Sequence, residues 1–483
     1  MRYYSIHLTL AAWLGIASTP VIAATDSIEP TFQVQTSVIE VRLPDHRGST
    51  LAFAGRNDAG GPMLGLVRYA DDGLQYREVA LPETAVAIDS GPVDGGHDAL
   101  YVLVAGAIHR LDNYAGELSA VAAVTSLYRG RSYAELSSER NFARDIDGDR
   151  VADFVVPDFD AMHIIDGLGQ RSIDLPSYRR GYDQIVTYKA PTVAAAPSNG
   201  NGAVFAVRGA ELLSFQPTSA VATALTLPLG LSSEFERERF YNSYEDLDQN
   251  SLVLREMERF SDINGDDVPD IVTLETISEG VFDKSTTYRI YEGRLSSDRL
   301  AFSAEPESTL SSRGFQLGVR IAPLDEDHNV IVTASVQVGV RAIIGALFSR
   351  SVTTRIEIYA PGPDGTIASE PSTTLKGRVK FDFSTGQAEF PTIEFGDIDG
   401  DGINDLVLKE RKRALSWRRG DREGRFATRS NDLNAVGPAD GSDVTLADLT
   451  GDGADEVIVL FGRADGEALD GRLTVYRNSN EPS

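Results

Sequence analysis

The chain has 483 residues, 44 of them glycine and none cysteine, with 42% hydrophobic and 24% charged residues, a globular composition and neither a disordered nor a fibrous one. Its 45 Lys and Arg against 72 Asp and Glu leave a net charge of −27, a field that repels phosphate backbones and anionic lipid and so argues against nucleic-acid partners. Without cysteine there is neither a disulfide framework nor a lipid-modified N-terminal Cys, which leaves core packing or metal to stabilise the fold.

Residues 1–24 read as a signal peptide. Arg2 supplies the positive end, 6–16 an apolar run too short to span a bilayer, and Val21-Ile22-Ala23 then Ala24 the small-residue cleavage signal. The expectation is an exported protein, periplasmic or extracellular, whose mature chain starts near Ala24 or Thr25 and forms one domain over 25–483.

Next comes a free strand at 32–38, then acidic or polar turns before strand-forming runs, at 45–48 before 50–53 and at 89–98 before 99–104. The first strong motif follows, with Asp145, Asp147, Gly148, Asp149 and Asp153 running into Phe154-Val155-Val156. It recurs at Asp262, Asn264, Gly265, Asp266 and Asp270, at Asp397, Asp399, Gly400, Asp401 and Asp405, and at Asp448, Thr450, Gly451, Asp452 and Glu456. All four read D-x-[DNT]-G-D-x-x-x-[DE]. The steps between them are 117, 135 and 51 residues, so weaker copies belong in the wider gaps, at 197–202 and 325–329.

Acidic side chains at loop positions 1, 3, 5 and 9 converge oxygens on one point, and the main-chain carbonyl of position 7 (Val151, Val268, Ile403, Ala454) adds another. That is a shell for a hard cation, and calcium is the natural occupant at about four sites. An EF-hand or dockerin loop would close with an acid at position 12 on a helix. Here position 12 is Val156, Thr273, Leu408 or Val459 inside a β-branched run, which places each loop in a β-hairpin.

On these loops the sequence resembles the FG-GAP or VCBS repeat proteins, whose integrin-type β-propeller blades carry a calcium loop between their first two strands. The resemblance implies metal ligands at the positions named, with Thr450 and Glu456 departing from the pattern. It also implies an all-β fold: a single β-propeller of about eight four-stranded blades, seven as the runner-up. The last copy stops after Tyr476 without an outer strand, so the segment 32–38 is expected to pair with 472–476 and close the ring.

Several inserts fall outside the repeat. Tyr178-Arg-Arg-Gly-Tyr182 offers rings and guanidiniums for an acidic or sugar ligand, or is a solvated crossover. Residues 233–260 open on a capping box, Ser233 with Glu236, and predict a short helix bearing Phe240, Tyr241 and Tyr244. The apolar stretch 329–348 is divided by Arg341 into runs too short to span; it suits paired or buried strands, with an interfacial hairpin as the alternative. No HExxH, GxSxG, P-loop or GxGxxG is present, and the five histidines beyond the signal segment, His46, His97, His109, His163 and His328, read as surface or loop residues. The favoured function is a noncatalytic, exported, calcium-binding propeller that binds a protein or cell-surface glycan, with no transmembrane anchor. A calcium-dependent polysaccharide-cleaving enzyme and a structural part of a surface assembly are the alternatives.

Overall fold

The computed structural model of the protein describes residues 22–478 apart from 72, 125–135, 139–141, 147, 158–160, 167–168, 174–177, 183–184, 190–191, 197–202, 209–210, 216–222, 226, 228, 234–235, 238, 241–249, 267, 281–282, 297–298, 326, 337–349, 363–364, 383–386 and 410–412. The β-branched runs that follow each acidic turn are strands, as their alternation predicts. Among the described residues they build eight antiparallel sheets of four or five strands and two two-stranded hairpins. In chain order we number them sheet 1 (33–80), sheet 2 (85–123), sheet 3 (143–173), sheet 4 (192–225), sheet 5 (250–313), sheet 6 (315–389), sheet 7 (393–436) and sheet 8 (444–478 with the strand Ile22–Ile28).

Among the described residues the antiparallel sheets pack face to face on their chain neighbours. Leu64 and Leu66 of sheet 1 pack with Leu100 and Val102 of sheet 2, and Tyr101 of sheet 2 meets Phe154 of sheet 3 edge to face at 5.0 Å. Further cores join sheet 4 to 5 (Phe205, Ile271), 5 to 6 (Tyr288, Ile331), 6 to 7 (Ile358, Leu406) and 7 to 8 (Trp417, Val459). Another core joins sheet 8 back to sheet 1, where Ile458, Leu473 and Val475 pack against Leu51 and Phe53. The side chains between sheets 3 and 4 lie largely outside the described residues. Small antiparallel meanders packed face to face in chain order, the last against the first, are the architecture of a β-propeller.

Main-chain hydrogen bonds stitch the same seams at one end of the sheets. The residue just before or at the start of a second strand donates its N–H to the carbonyl near the end of the preceding sheet's first strand: Asp98 to Arg42 (2.9 Å), Ala152 to Pro92 (2.8 Å), Asn404 to Leu324 (2.7 Å), Asp455 to Asp397 (2.6 Å) and Ser49 to Asp448 (2.7 Å). Asp98 and Asp455 also accept, on their carboxylates, the N–H of Arg42 and of Asp397.

The structure corrects several expectations. The strand that completes sheet 8 is Ile22–Ile28, in register with Leu473–Asn478, and not 32–38. Within 32–38, Gln33–Val34 instead pairs with Gly55 and Arg56 of sheet 1, the main chain at Gln35 and Thr36 donates to the Ala54 carbonyl, and the Phe32 ring lies 5.9 Å from that of Phe53. Residues 89–93 are not a turn, because the strand Ala85–Val93 runs through them and the Asp89 carboxylate accepts the Ala143 N–H of sheet 3. The capping box at 233 exists, with the Ser233 N–H on the Glu236 carboxylate at 2.8 Å and the Glu236 N–H on Ser233 Oγ at 3.3 Å. Only 236–237 and 239–240 are helical among the described residues there, and Asn250–Ser261 is a long strand paired antiparallel with Asp270–Glu279. Phe240 is buried; Tyr241 and Tyr244 lie outside the described residues.

Tyr178–Tyr182 is one strand of a hairpin with Ile185–Lys189; its side chains are outside the description. Of the apolar insert, Val336 ends a strand and 337–348 lie outside the described residues. His163 is not a surface residue but is buried, with Nδ1 2.9 Å from Ser172 Oγ. Among the described residues no helix is long and apolar enough to cross a membrane.

Candidate metal-binding loops

The four acidic loops connect the first and second strands of sheets 3, 5, 7 and 8, and they share one hydrogen-bond plan. The glycine at position 4 donates its N–H to the position-1 carboxylate in all four: Gly148 to Asp145 (2.7 Å), Gly265 to Asp262 (2.8 Å), Gly400 to Asp397 (2.7 Å) and Gly451 to Asp448 (2.6 Å). The position-7 N–H of Val151, Val268, Ile403 and Ala454 reaches the position-5 carboxylate of Asp149, Asp266, Asp401 and Asp452 at 2.8 to 3.0 Å. The N–H of position 2 (Ile146, Ile263, Ile398, Leu449) reaches the position-9 acid, Asp153, Asp270, Asp405 or Glu456, at 2.8 to 3.2 Å. Asn264, at position 3 of the second loop, accepts the Asp266 N–H at 3.0 Å. Asp147 lies outside the described residues.

This plan explains the glycines. Gly148, Gly265, Gly400 and Gly451 have φ of 81, 89, 74 and 75°, where a side chain is strained. In the first, third and fourth loops position 6 is left-handed too, and there Arg150 (φ 67°) carries the strain that Gly402 and Gly453 avoid.

The position-9 acids are the buried members. Asp270 and Asp405 are fully buried and Glu456 is 5% exposed. Burial pushes Asp405 and Glu456 up to about 8 and Asp270 up to about 7, with the other loop carboxylates adding to the rise and the donated main-chain N–H groups opposing it. In the third loop one oxygen each of Asp397, Asp399 and Asp405 lies within 4.8 Å of the others, the one such group of three among the described residues. Asp399 Oδ1 there, and Thr450 Oγ1 at the same position of the fourth loop, are buried and without a hydrogen-bond partner. Burial likewise raises Asp397 and Asp399.

Four contributors escaped the motif. Arg419 places Nε 3.2 Å from Asp399 and pairs with Asp401, a positive charge at the mouth of the third loop. Asp455, in the seam between the third and fourth loops, is pushed up to about 7, chiefly by burial. Gly293 and Gly420 donate to the second oxygen of Asp270 and Asp405, both at 2.8 Å, and a Cβ at either would press to 2.2 or 2.3 Å on the carbonyl of Pro269 or Asn404. A glycine two residues past the residue paired with position 10 was the available signal: Tyr291 then Gly293, Arg418 then Gly420.

Comparison with known proteins agrees with this reading of the repeat. Residues 397–459, which contain the third and fourth loops, match the model of the FG-GAP-like repeat family. The chain is thus an all-β propeller that carries an FG-GAP-like repeat over that segment. No curated protein sequence matches it significantly. Similar solved structures include YCF48 from Cyanidioschyzon merolae (10% identity, TM-score 0.33, 95% of this chain and 100% of that one), a mutant of AofleA from Arthrobotrys oligospora (9%, 0.29, 86% and 90%) and the WD40 domain of SCAP from fission yeast (9%, 0.28, 83% and 96%). A propeller-type repeat fold serves in general as a binding or interaction module.

Proposed function

We propose that the protein is a calcium-stabilised, noncatalytic propeller that works outside the cytoplasm as a binding module for a protein or a cell-surface glycan. The observation that carries the calcium reading is the third loop, where three carboxylate oxygens converge and the buried Asp399 Oδ1 accepts nothing. A buried acceptor left without a partner costs about 1–3 kcal/mol, and a cation offsets that cost together with the repulsion among the acids.

The donor set, all oxygen, suits a hard cation. Asp397, Asp399, Asp401 and Asp405 with the Ile403 carbonyl would hold it in the third loop. The same positions would do so in the others: Asp145, Asp147, Asp149, Val151 and Asp153; Asp262, Asn264, Asp266, Val268 and Asp270; Asp448, Thr450, Asp452, Ala454 and Glu456. The ion supplies positive charge where the chain has placed negative charge. The chain's own main-chain N–H groups already orient the position-1 and position-9 carboxylates toward one conformation.

Export is supported by the residues of 1–24. If cleavage follows Ala24, the pairs from Thr25 with Tyr476 to Ile28 with Leu473 remain in sheet 8.

The test is thermal unfolding of the 25–483 chain in excess calcium, in magnesium and in chelator, with elemental analysis. For extracellular-type sites with Kd of about 0.1–1 mM, calcium near 1 mM contributes roughly 0.4–1.4 kcal/mol per site, or about 2–6 kcal/mol for four. A midpoint indifferent to chelation, with no calcium retained, would leave the loops as acidic turns.

A further inference from the structure

Sheets 5 and 6 differ from their neighbours in length. The first three strands of sheet 5 have 12, 11 and 9 residues and the first four of sheet 6 have 9, 8, 9 and 10, against 4, 5, 5 and 6 in sheet 7. The register places the extra length away from the metal loops. Asp270 opens its strand at the loop, and the partners of Ser285 and Thr286 are Ile277 and Thr276, toward that strand's far end. In sheet 6 Ser335 likewise sits at the far end of Asn329–Val336, opposite Arg355.

The packing between the two sheets changes character along this length. Near the loops it is apolar, with Ile290, Leu310, Ile331 and Tyr359. Two residues further along the same strand faces, Tyr288 gives way to Thr286, Leu310 to Ser312, and Ile331 through Thr333 to Ser335. A cavity of about 470 Å³ opens there, and of its eight lining residues among those described six are Ser or Thr, the others being Arg355 and Glu357.

Thr286 and Ser335 are each 2% exposed, and neither hydroxyl has a hydrogen-bond partner. Glu357 is 4% exposed and held by Arg355, whose Nε and Nη2 lie 2.9 and 2.8 Å from Oε1, while Tyr359 donates to Oε2 at 3.3 Å. That leaves Arg355 Nη1 uncommitted.

We propose that this cleft between sheets 5 and 6 binds a neutral polyhydroxylated ligand, a saccharide unit of mono- or disaccharide size. The volume is that of a small-molecule site. Paired donors and acceptors in rows of hydroxyls match a polyol, which both gives and takes hydrogen bonds; the closed Arg355–Glu357 pair adds directional partners without net charge. Among the described residues no aromatic platform lines the cleft for a nucleobase, and the −27 of the chain repels a polyanion. The inference rests on the reading of the protein as a binding module and locates its ligand.

The test is binding of the calcium-loaded 25–483 chain to a panel of immobilised neutral mono- and oligosaccharides, followed by calorimetric titration of the retained sugars. Thr286→Val and Ser335→Ala remove an unpartnered hydroxyl without adding volume, and Arg355→Lys keeps a charge on Glu357 while losing the guanidinium fork. Each is expected to weaken sugar binding about 3- to 10-fold. The two hydroxyl deletions should leave the unfolding midpoint unchanged or raise it, a pairing of effects that mere structural damage would not produce. If a sugar binds and all three variants hold it as tightly, the cleft is not the site although the module reading survives. If no neutral sugar is retained at millimolar concentration while calcium still stabilises the chain, the cleft holds only water and the inference fails alone.

Discussion

Sheets 5 and 7 carry the same acidic loop and end differently. At the loop, Asp270 and Asp405 accept main-chain N–H groups from equivalent places, Ile263 with Gly293 and Ile398 with Gly420, within 0.4 Å of one another. Away from it, sheet 7 stops after strands of 4 to 6 residues, whereas sheet 5 runs on and, with sheet 6, encloses a hydroxyl-lined cleft. The loop end carries the repeat, and the far end is where this chain departs from it. Substitutions at the two ends should therefore separate stability from binding.

The largest effect is expected where sheet 8 depends on a distant strand. A chain that starts at residue 30 loses the ladder to Leu473–Tyr476, the 3.1 Å contact of Ser27 with Thr474 and the 2.5 Å hydrogen bond from the Tyr69 hydroxyl to Asp26, and it exposes the edge beside the buried Leu473 and Val475. Denaturant unfolding should register a loss of about 3–5 kcal/mol relative to a chain starting at residue 25. Equal stability of the two would remove the strand's structural role.

Next, Asp405→Ala and Asp270→Ala each strand two N–H donors, at least one of them deeply buried, so both should cost roughly 2–4 kcal/mol even in chelator. The two losses should agree within about 1 kcal/mol. A large difference would break the equivalence of the loop ends in sheets 5 and 7. Asp399→Ala should behave otherwise, removing about 1 kcal/mol of stability in calcium and leaving stability in chelator unchanged or raised, because Asp399 Oδ1 serves no protein donor.

The pH dependence follows from the position-9 acids. Their folded values, about 7 for Asp270 and about 8 for Asp405 and Glu456, stand above the usual carboxylate range of about 4. A raised folded pKa means the native state binds the proton more tightly. These three groups therefore favour the metal-free native state fully below pH ~4 and lose that contribution as pH climbs through about 8. Calcium needs the same carboxylates ionised. The gap between unfolding midpoints in calcium and in chelator should widen steadily from pH 5 to pH 8, and a constant gap would contradict the assignment.

The smallest effect sharpens the difference between individual loops. Arg419, 56% exposed, offers its charge to Asp399 and Asp401, where it competes with an incoming cation. An exposed pair of this kind is worth about 0.2–1 kcal/mol, so Arg419→Ala should tighten calcium binding at the third loop by roughly 1.5- to 5-fold in titration. Weaker binding would make Arg419 a support of the site.

Much of this was legible in residue order, for a physical reason. A loop that must turn twice through left-handed backbone and converge carboxylates needs particular residues at particular positions, so Asp397, Gly400, Asp401 and Asp405 announce it and repeat elsewhere. What escaped depends on partners distant in sequence. The segment Ile22–Ile28 has few bulky residues and overlaps the cleavage signal, whereas 32–38 has better strand formers, yet pairing was decided by which segment lay beside Leu473–Asn478. Residues 233–260 carry a genuine capping box, but its two bonds extend only to Glu236, and from Asn250 the chain pairs with Asp270–Glu279, a partner that local pattern does not show. The cleft was invisible because Ser and Thr runs such as Ser285-Thr286-Thr287 and Ser311-Ser312 read as solvated strand until a second sheet is laid against them.

The completion of sheet 8 by the N-terminal strand has a consequence for the order in which the chain can assemble. Ser27 and Thr474 touch across 447 residues, so the first strand made is among the last to be paired. Closing a loop of that length is entropically slow, and the remaining sheets can stack while it stays open. Throughout that interval Leu473–Asn478 offers an unpaired edge in search of one particular sequence. At high concentration the first Ile22–Ile28 to arrive can come from another molecule, which makes this seam the place where two copies would exchange strands and where refolding yield should fall with concentration.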